Sequence, residues 1–181
     1  MAEQPQRVRL RPPEMGDLEN LWRWINDPDV NAFRWEGQQW PKSHEQVRAD
    51  LEATVRGHAD KMELIIETPD GRPVGFVALG GLDRHNGKGE LTIVLGERDA
   101  WGQGLGSEAV RQVLDLAFDN LRLNKVWLQV DAEHVKAIAS YQRLGFKVEG
   151  RLREDWYRRG QFADTVVMGL LAREWKQRTV A

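Results

Sequence analysis

Cysteine is absent from this chain, which rules out disulfides, zinc–thiolate centres and a cysteine nucleophile together. Histidine is nearly as scarce: His44, His58, His85 and His134 stand apart and form no metal-ligand spacing. No apolar run approaches the ~20 residues that a bilayer span requires. The first seven residues, Met1 to Arg7, carry no apolar stretch of the secretory kind. Repeats and low-complexity linkers are missing as well. A net charge of −2 leaves no general excess of positive charge for nucleic acid. These absences point to a cytoplasmic, metal-free protein. With 181 residues, 41% of them hydrophobic and 30% charged, it reads as one globular domain over residues 1–181.

What is present centres on residues 89–121. Leu91, Ile93 and Leu95 alternate with Thr92 and Val94, which predicts a mostly buried strand. Glu97 to Ala100 and then Trp101-Gly102-Gln103-Gly104-Leu105-Gly106-Ser107 follow, leading into Val110, Val113, Leu114, Ala117 and Leu121 at helical spacing. A strand, a loop with three alternating glycines and a helix therefore come in succession. The helix aims its first free N–H groups at the loop, a setting that suits an anion. Glycines at 102, 104 and 106 remove the Cβ atoms that would keep a phosphate away from those amides.

Several ligands fit such a loop. A P-loop would need a lysine before Ser107, where Gly106 stands. A dinucleotide fingerprint would need a third glycine at 107 and a loop opening directly off the strand, although Asp131 could serve as its ribose-binding acid. A glycine-rich turn without a ligand is the plain reading.

The chain's halves differ in charge. Residues 1–70 hold 9 Lys/Arg against 14 Asp/Glu, whereas residues 71–181 hold 17 against 14. The basic half suits phosphates and the acidic half a cationic amine, unless both are simply solvated faces. Val8 and Leu10 predict a short strand stopped by Pro12-Pro13, and Asp17 a cap for a helix carrying Leu18, Leu21, Trp22 and Ile25. Trp22 is assigned to the core. Phe33, Trp35 and Trp40 fall in a loop and are candidates for a substrate pocket, with Glu36, Asp27 and Asp29 as the nearest carboxylates for an ammonium group. Ser43-His-Glu-Gln46 is a capping box for a second helix. Strands over Met62–Glu67 and Val74–Leu82 join at Pro69-Asp-Gly71, and Asn86-Gly87 turns the chain into the central strand. A strand over Lys125–Val130, a helix over Val135–Leu144 capped by Gly145, and a hairpin of Glu149–Trp156 with Thr165–Leu171 complete the reading.

Trp101-Gly-Gln-Gly104-Leu-Gly106 resembles the acetyl-CoA loop of the GNAT N-acetyltransferases, Gln/Arg-x-x-Gly-x-Gly/Ala, with Trp101 in the place of the usual Gln or Arg. The stretch from His134 through Ala137 and Tyr141 to Gly145-Phe146 resembles that family's Asn-x-x-Ala-x-x-x-Tyr-x-x-x-Gly-Phe, with His134 in the place of Asn. Val148 to Glu154 and Arg159 to Asp164 are similar to the end of the branch that acetylates ribosomal-protein alanines and spermidine. The resemblance implies an α/β (α+β) GNAT fold of order βααβββαβαββ: a mixed sheet of about six to seven strands with about four helices. Residues 1–70 would form the acceptor side and 71–181 the acetyl-CoA side.

It implies direct acetyl transfer from acetyl-CoA to a primary amine, either of a small cationic molecule or of a protein N-terminus. The amides of Gly102, Gln103, Gly104, Leu105, Gly106 and Ser107 would hold the pyrophosphate beside Trp101. Main-chain groups of Val94, Leu95 and Gly96 would face the pantetheine. His134 and Ala137 would border the cofactor, with His134 a weaker candidate for a base. Tyr141 would act as general acid, where its helix face alone reads as a packing tyrosine. Glu90, by its place at the start of the central strand, is read as the general base, directly or through water, or else as an exposed strand-end carboxylate. A non-catalytic acyl-CoA-binding module is the other reading. Similar proteins form homodimers, and an edge strand of the last hairpin suits such pairing.

Overall fold

The computed structural model of the protein describes residues 6–33, 41–158 and 160–179. Trp35, Glu36 and Trp40 lie outside the described residues. Among the described residues, seven strands form one sheet in the order β1-β2-β3-β4-β5-β7-β6: β1 Arg9–Arg11, β2 Met62–Glu67, β3 Pro73–Asp83, β4 Lys88–Leu95, β5 Lys125–Asp131, β6 Lys147–Arg158 and β7 Gln161–Leu171. The helices are α1 Leu18–Asn26, α2 His44–Arg56, α3 Leu105–Asp115 and α4 Val135–Leu144, with a short α5, Ala172–Thr179, after β7. No described helix is long and apolar enough to cross a membrane.

Alternation along the strands separates two cores. Val77, Leu79, Leu91, Val126 and Leu128 face α3, α4 and the α3–β5 connection. Ile65, Phe76 and Val94 face α1 and α2. Local chemistry sets the helix ends. Ser43 Oγ accepts from Gln46 N at 3.2 Å while Gln46 Oε1 accepts from Ser43 N at 2.8 Å, the expected capping box. Gly145 ends α4 at φ 101°, a left-handed conformation that glycine adopts without strain.

The β4–β5 contact positions the site. These two strands pair in parallel through Lys88–Lys125, Gly89–Val126 and Glu90–Trp127 only. Beyond Glu90 they splay, while β4 stays paired with β3 as far as Leu95.

The first helix corrects two expectations. Trp24 is the buried tryptophan of α1 at 1% exposure, in register with Leu18 and Leu21, whereas Trp22 is 38% exposed and donates to the Lys42 carbonyl. Asp17 does not cap α1 through its side chain. A short 3-10 turn, Met15–Asp17, precedes α1, and the Asp17 carboxylate accepts from Glu14 N at 2.8 Å and from Arg11 at 2.7 and 2.8 Å. The last hairpin pairs residues 147–158 with 161–171, longer than expected, with register shifts at Val148/Gly150 and Leu152/Trp156.

The Asp17–Arg11–Glu67 network makes the fold acid-sensitive. Burial pushes the Asp17 carboxyl up, but the Arg11 guanidinium and the Glu14 amide outweigh it and hold the pKa below the ordinary value. Hydrogen bonds from Arg9 and then Arg11 outweigh burial at Glu67 and lower its pKa too. Depressed folded-state values stabilise the fold fully above the unfolded carboxyl pKa of about 4, and that contribution is lost as pH falls through the folded values. In urea unfolding, the stability difference between wild type and a variant lacking this network should therefore be constant above about pH 5 and decline below about pH 4. Arg11→Met should cost about 3 kcal/mol at pH 7, by leaving Asp17 buried without its cation. The cost should shrink in acid, and a pH-independent difference would exclude this origin.

Candidate active site

A cavity of about 880 Å³ opens where β4 and β5 part. Residues from β4 (90–95), the glycine loop, α3, β5, α4 and the α1–α2 connection line it. Its size is that of an ordinary small-molecule site.

The β4 backbone sets its polar edge. Gly96 N donates to Val74 O of β3 at 2.9 Å. Main-chain groups alternate in direction along a strand, so those of Val94 also face β3, while those of Ile93 and Leu95 point into the splay. Leu95 O accepts the Trp101 indole N–H at 2.9 Å, leaving Leu95 N and Ile93 to face the cavity. An extended chain bearing amides can add to such an edge as a further strand would. Gly96 belongs elsewhere: its amide is engaged by Val74, and a Cβ there would lie 2.1 Å from Trp24 Cγ. This residue is the seat of Trp24, outside the cavity wall.

The loop follows the expected strand–turn–helix course. Gly102 and Gly104 hold φ 73° and 80°, and Gly104 is the cap residue of α3. Gly106 brings α3 close to β4, with Leu95 Cδ1 3.4 Å from the place of a Cβ. Ser107 Oγ and Ser140 Oγ lie 2.8 Å apart and tie α3 to α4. Gln103 and Leu105 are absent from the wall: the Gln103 side chain donates to Asp99 O, and Leu105 is buried in the core. Trp101, Gly102, Gly104, Gly106 and Ser107 do line the cavity, beside the free amides of the α3 N-terminus, and such amides suit a phosphate. Lys136 and Arg143 add positive residues to the wall.

From α4, Ala137 and Tyr141 reach the cavity, and the Tyr141 ring meets Phe146 edge-on at 5.8 Å between centroids. Burial pushes the Tyr141 phenol up to about 12, so it is protonated throughout the neutral range. Glu90 enters the wall from β4, and on the period-2 alternation its side chain shares the face of Thr92 and Val94, towards α1 and α2.

His134 also lines the cavity, at the N-terminus of α4. Its ring stacks on Phe33 at 4.3 Å and 20°, and its side chain makes no cap hydrogen bond to α4. Burial, joined by Lys136 and Arg158 and opposed by Asp131, lowers its pKa and keeps it neutral at pH 7. Arg158 packs 5.0 Å from the Phe33 centroid and pairs with buried Asp131 at 3.0 Å and with Glu133.

Phe33 and Asp29, from the α1–α2 connection, also line the cavity. Asp29 is held by Arg98 at 2.6 Å, and Asp27 by the same guanidinium at 2.8 Å. Burial pushes the Asp27 carboxyl up, but Arg98 and the amides of Asp29 and Val30 more than offset it and hold the pKa low. Arg98 thus fastens the α1–α2 connection to the turn before the glycine loop. Sequence reading passed over this latch, as well as Gln129 and Ser140 in the wall. Gln129 left a signal, being polar within the apolar strand Lys125–Asp131.

Residues 7–147 match the family model described as an acetyltransferase (GNAT) domain. The spermidine N(1)-acetyltransferase of Escherichia coli K12 is 30% identical over 171 residues, covering 93% of this chain and 88% of its own. The uncharacterized N-acetyltransferase p20 of Bacillus licheniformis is 28% identical over 172 residues, covering 94% of this chain and 96% of its own. Among solved structures, spermidine N-acetyltransferase from Vibrio cholerae in complex with CoA and spermine superposes with a TM-score of 0.86 at 24% identity, over 94% of this chain and 98% of that one. The protein accordingly belongs to the GNAT acetyltransferases, with acetyl-CoA as its acetyl donor.

Proposed function

We propose that the protein transfers the acetyl group directly to the primary amine of a small cationic molecule. The observation that carries this reading is the splay of β4 from β5, because it brings the Leu95 edge, the glycine loop, Tyr141 and Glu90 to one cavity. Acetyl-CoA supplies an activated acyl carbon on a thiol leaving group. The amides of the α3 N-terminus and of loop residues 102–107 that face the cavity hold the pyrophosphate, and the β4 edge at Ile93 and Leu95 holds the pantetheine. Leu95 N polarises the acetyl carbonyl as charge develops on its oxygen. Glu90, directly or through one water, takes a proton from the attacking amine. A C–N bond forms, the C–S bond breaks, and Tyr141 gives its proton to the departing sulfur.

The charge of the first 70 residues supports a cationic acceptor. So does the name of the Escherichia coli relative, which acts on spermidine. Asp29 contributes a carboxylate to the acceptor-facing wall, although Arg98 shares it. The test is thiol release with spermidine, an aminoglycoside, an amino sugar and a peptide with a free alanine N-terminus. Turnover of a small amine at more than about tenfold the peptide's kcat/KM supports the proposal, a ratio of about 1.4 kcal/mol in the barrier. The reverse order assigns the enzyme to protein N-termini, and binding of acetyl-CoA without turnover of any amine would favour the non-catalytic module.

Glu90→Gln should lower kcat/KM about 10²-fold at pH 7. The deficit should narrow as pH rises towards the amine's own pKa, because more acceptor then arrives unprotonated. A deficit constant up to pH 10 would remove Glu90 from the role of base. For assembly, the open edge of β6, with Val148 and Leu152 exposed, supports the homodimer that the resemblance implies. Light scattering at a monomer mass would end that reading.

A further inference from the structure

The phosphate-facing helix begins with an unfavourable charge. Glu108 stands in the first turn of α3, where a carboxylate steadies the helix but repels an incoming pyrophosphate. Arg7, just before β1, meets that charge from the far side of the loop. Glu108 accepts from Arg7 N at 2.7 Å, from Val8 N at 3.2 Å and from Arg7 Nε at 3.1 Å. The same guanidinium donates through Nη1 to Gln103 O at 2.9 Å, and its Nη2 lies 3.2 Å from where a Cβ on Gly104 would be.

The bond to Gln103 O has a geometric consequence. In a trans peptide the N–H points opposite to the C=O. The Gln103 carbonyl faces Arg7, which is not part of the cavity wall, while Gly104 is. Fixing that carbonyl outward therefore aims the Gly104 N–H inward, at the place proposed for the pyrophosphate. Gly104, left-handed at φ 80°, has no side chain of its own to hold this peptide in one orientation.

We propose that Arg7 is a positioning residue for donor selection: by holding the Gln103 carbonyl and neutralising Glu108, it orients the Gly104 amide for a diphosphate ester. The residue acts through the loop and touches no reacting atom. The inference rests on the loop amides holding the pyrophosphate, and the experiment separates the two claims. Dissociation constants are measured for acetyl-CoA, for acetyl-CoA lacking the 3′-phosphate, and for S-acetylpantetheine, which has no diphosphate. Wild type must prefer both diphosphate donors over S-acetylpantetheine; if it does not, the loop assignment itself fails.

Given that preference, Arg7→Gln should weaken both diphosphate donors about tenfold, the worth of a charge-assisted hydrogen bond, and leave S-acetylpantetheine within about twofold. The melting temperature should be unchanged, since the residue is exposed. Arg7→Lys keeps the charge without the fork and should recover only part of the loss. Equal weakening of all three donors, no weakening of any, or sparing of the donor without the 3′-phosphate would each overturn the proposal. Full recovery by lysine would as well, because charge alone would then suffice.

Discussion

Tyr141→Phe should lower kcat by about 10²-fold or more, the usual worth of a positioned proton donor, and leave the dissociation constant of acetyl-CoA within about twofold. The ring that packs edge-on against Phe146 remains in the variant, so the cavity keeps its shape and only the hydroxyl is lost. Burial lifts the phenol to about 12, which keeps the proton in place at every pH where an amine acceptor is tested. Loss of activity on the alkaline limb below pH 10 should therefore not arise from Tyr141. The variant also separates proton donation from packing. A thioester whose thiol is a stronger acid needs less help in leaving, so the deficit should fall as the leaving-group pKa falls. Thiol release under single-turnover conditions reads both quantities. A loss below threefold, or one that ignores the leaving group, would show that Tyr141 is a packing residue.

The parts of this site that could be read from the chain are those whose chemistry is local. Gly102 and Gly104 take positive φ, and a loop that requires such conformations shows itself by its glycines. The spacing from His134 to Tyr141 is two turns of one helix, and the Ser43–Gln46 cap joins residues three apart. What stayed hidden depends on partners far away in the sequence. Arg98 reaches back 71 residues to Asp27, and the Arg7 backbone reaches forward 101 residues to Glu108. Neither pair leaves a periodic trace. The assignment of Trp22 to the core failed for another reason. Trp22 and Trp24 are both large and apolar, and either extends the stripe of Leu18 and Leu21, so the seat that Gly96 leaves at the end of β4 decides between them. Gly96 was misplaced on the same account, because which strand an amide faces depends on the neighbour it pairs with.

That glycine carries the second large effect. A Cβ on residue 96 would stand 2.1, 2.2 and 2.3 Å from Trp24 Cγ, Cδ2 and Cδ1, an overlap that no rotamer of alanine relieves. Trp24 has little room to yield: it is 1% exposed, and its indole donates to Glu97 Oε1 at 2.8 Å. Gly96→Ala must displace either the ring or the strand. Overpacking of a filled core costs about 1–3 kcal/mol and occasionally more, and three overlapping ring atoms place this case at the upper end. Displacing the strand moves Leu95, whose amide faces the splay, so the affinity for acetyl-CoA should fall together with stability. Trp24→Leu alone leaves a cavity and should also destabilise, by about 3 kcal/mol. Combined, the two changes relieve one another, since the new methyl enters the space the ring has left. The double variant should therefore be more stable than the sum of the single losses by about 1 kcal/mol or more. Simple additivity in chemical denaturation would mean that Trp24 does not rest on Gly96. It would also remove the link by which helix α1 sets the position of the end of β4.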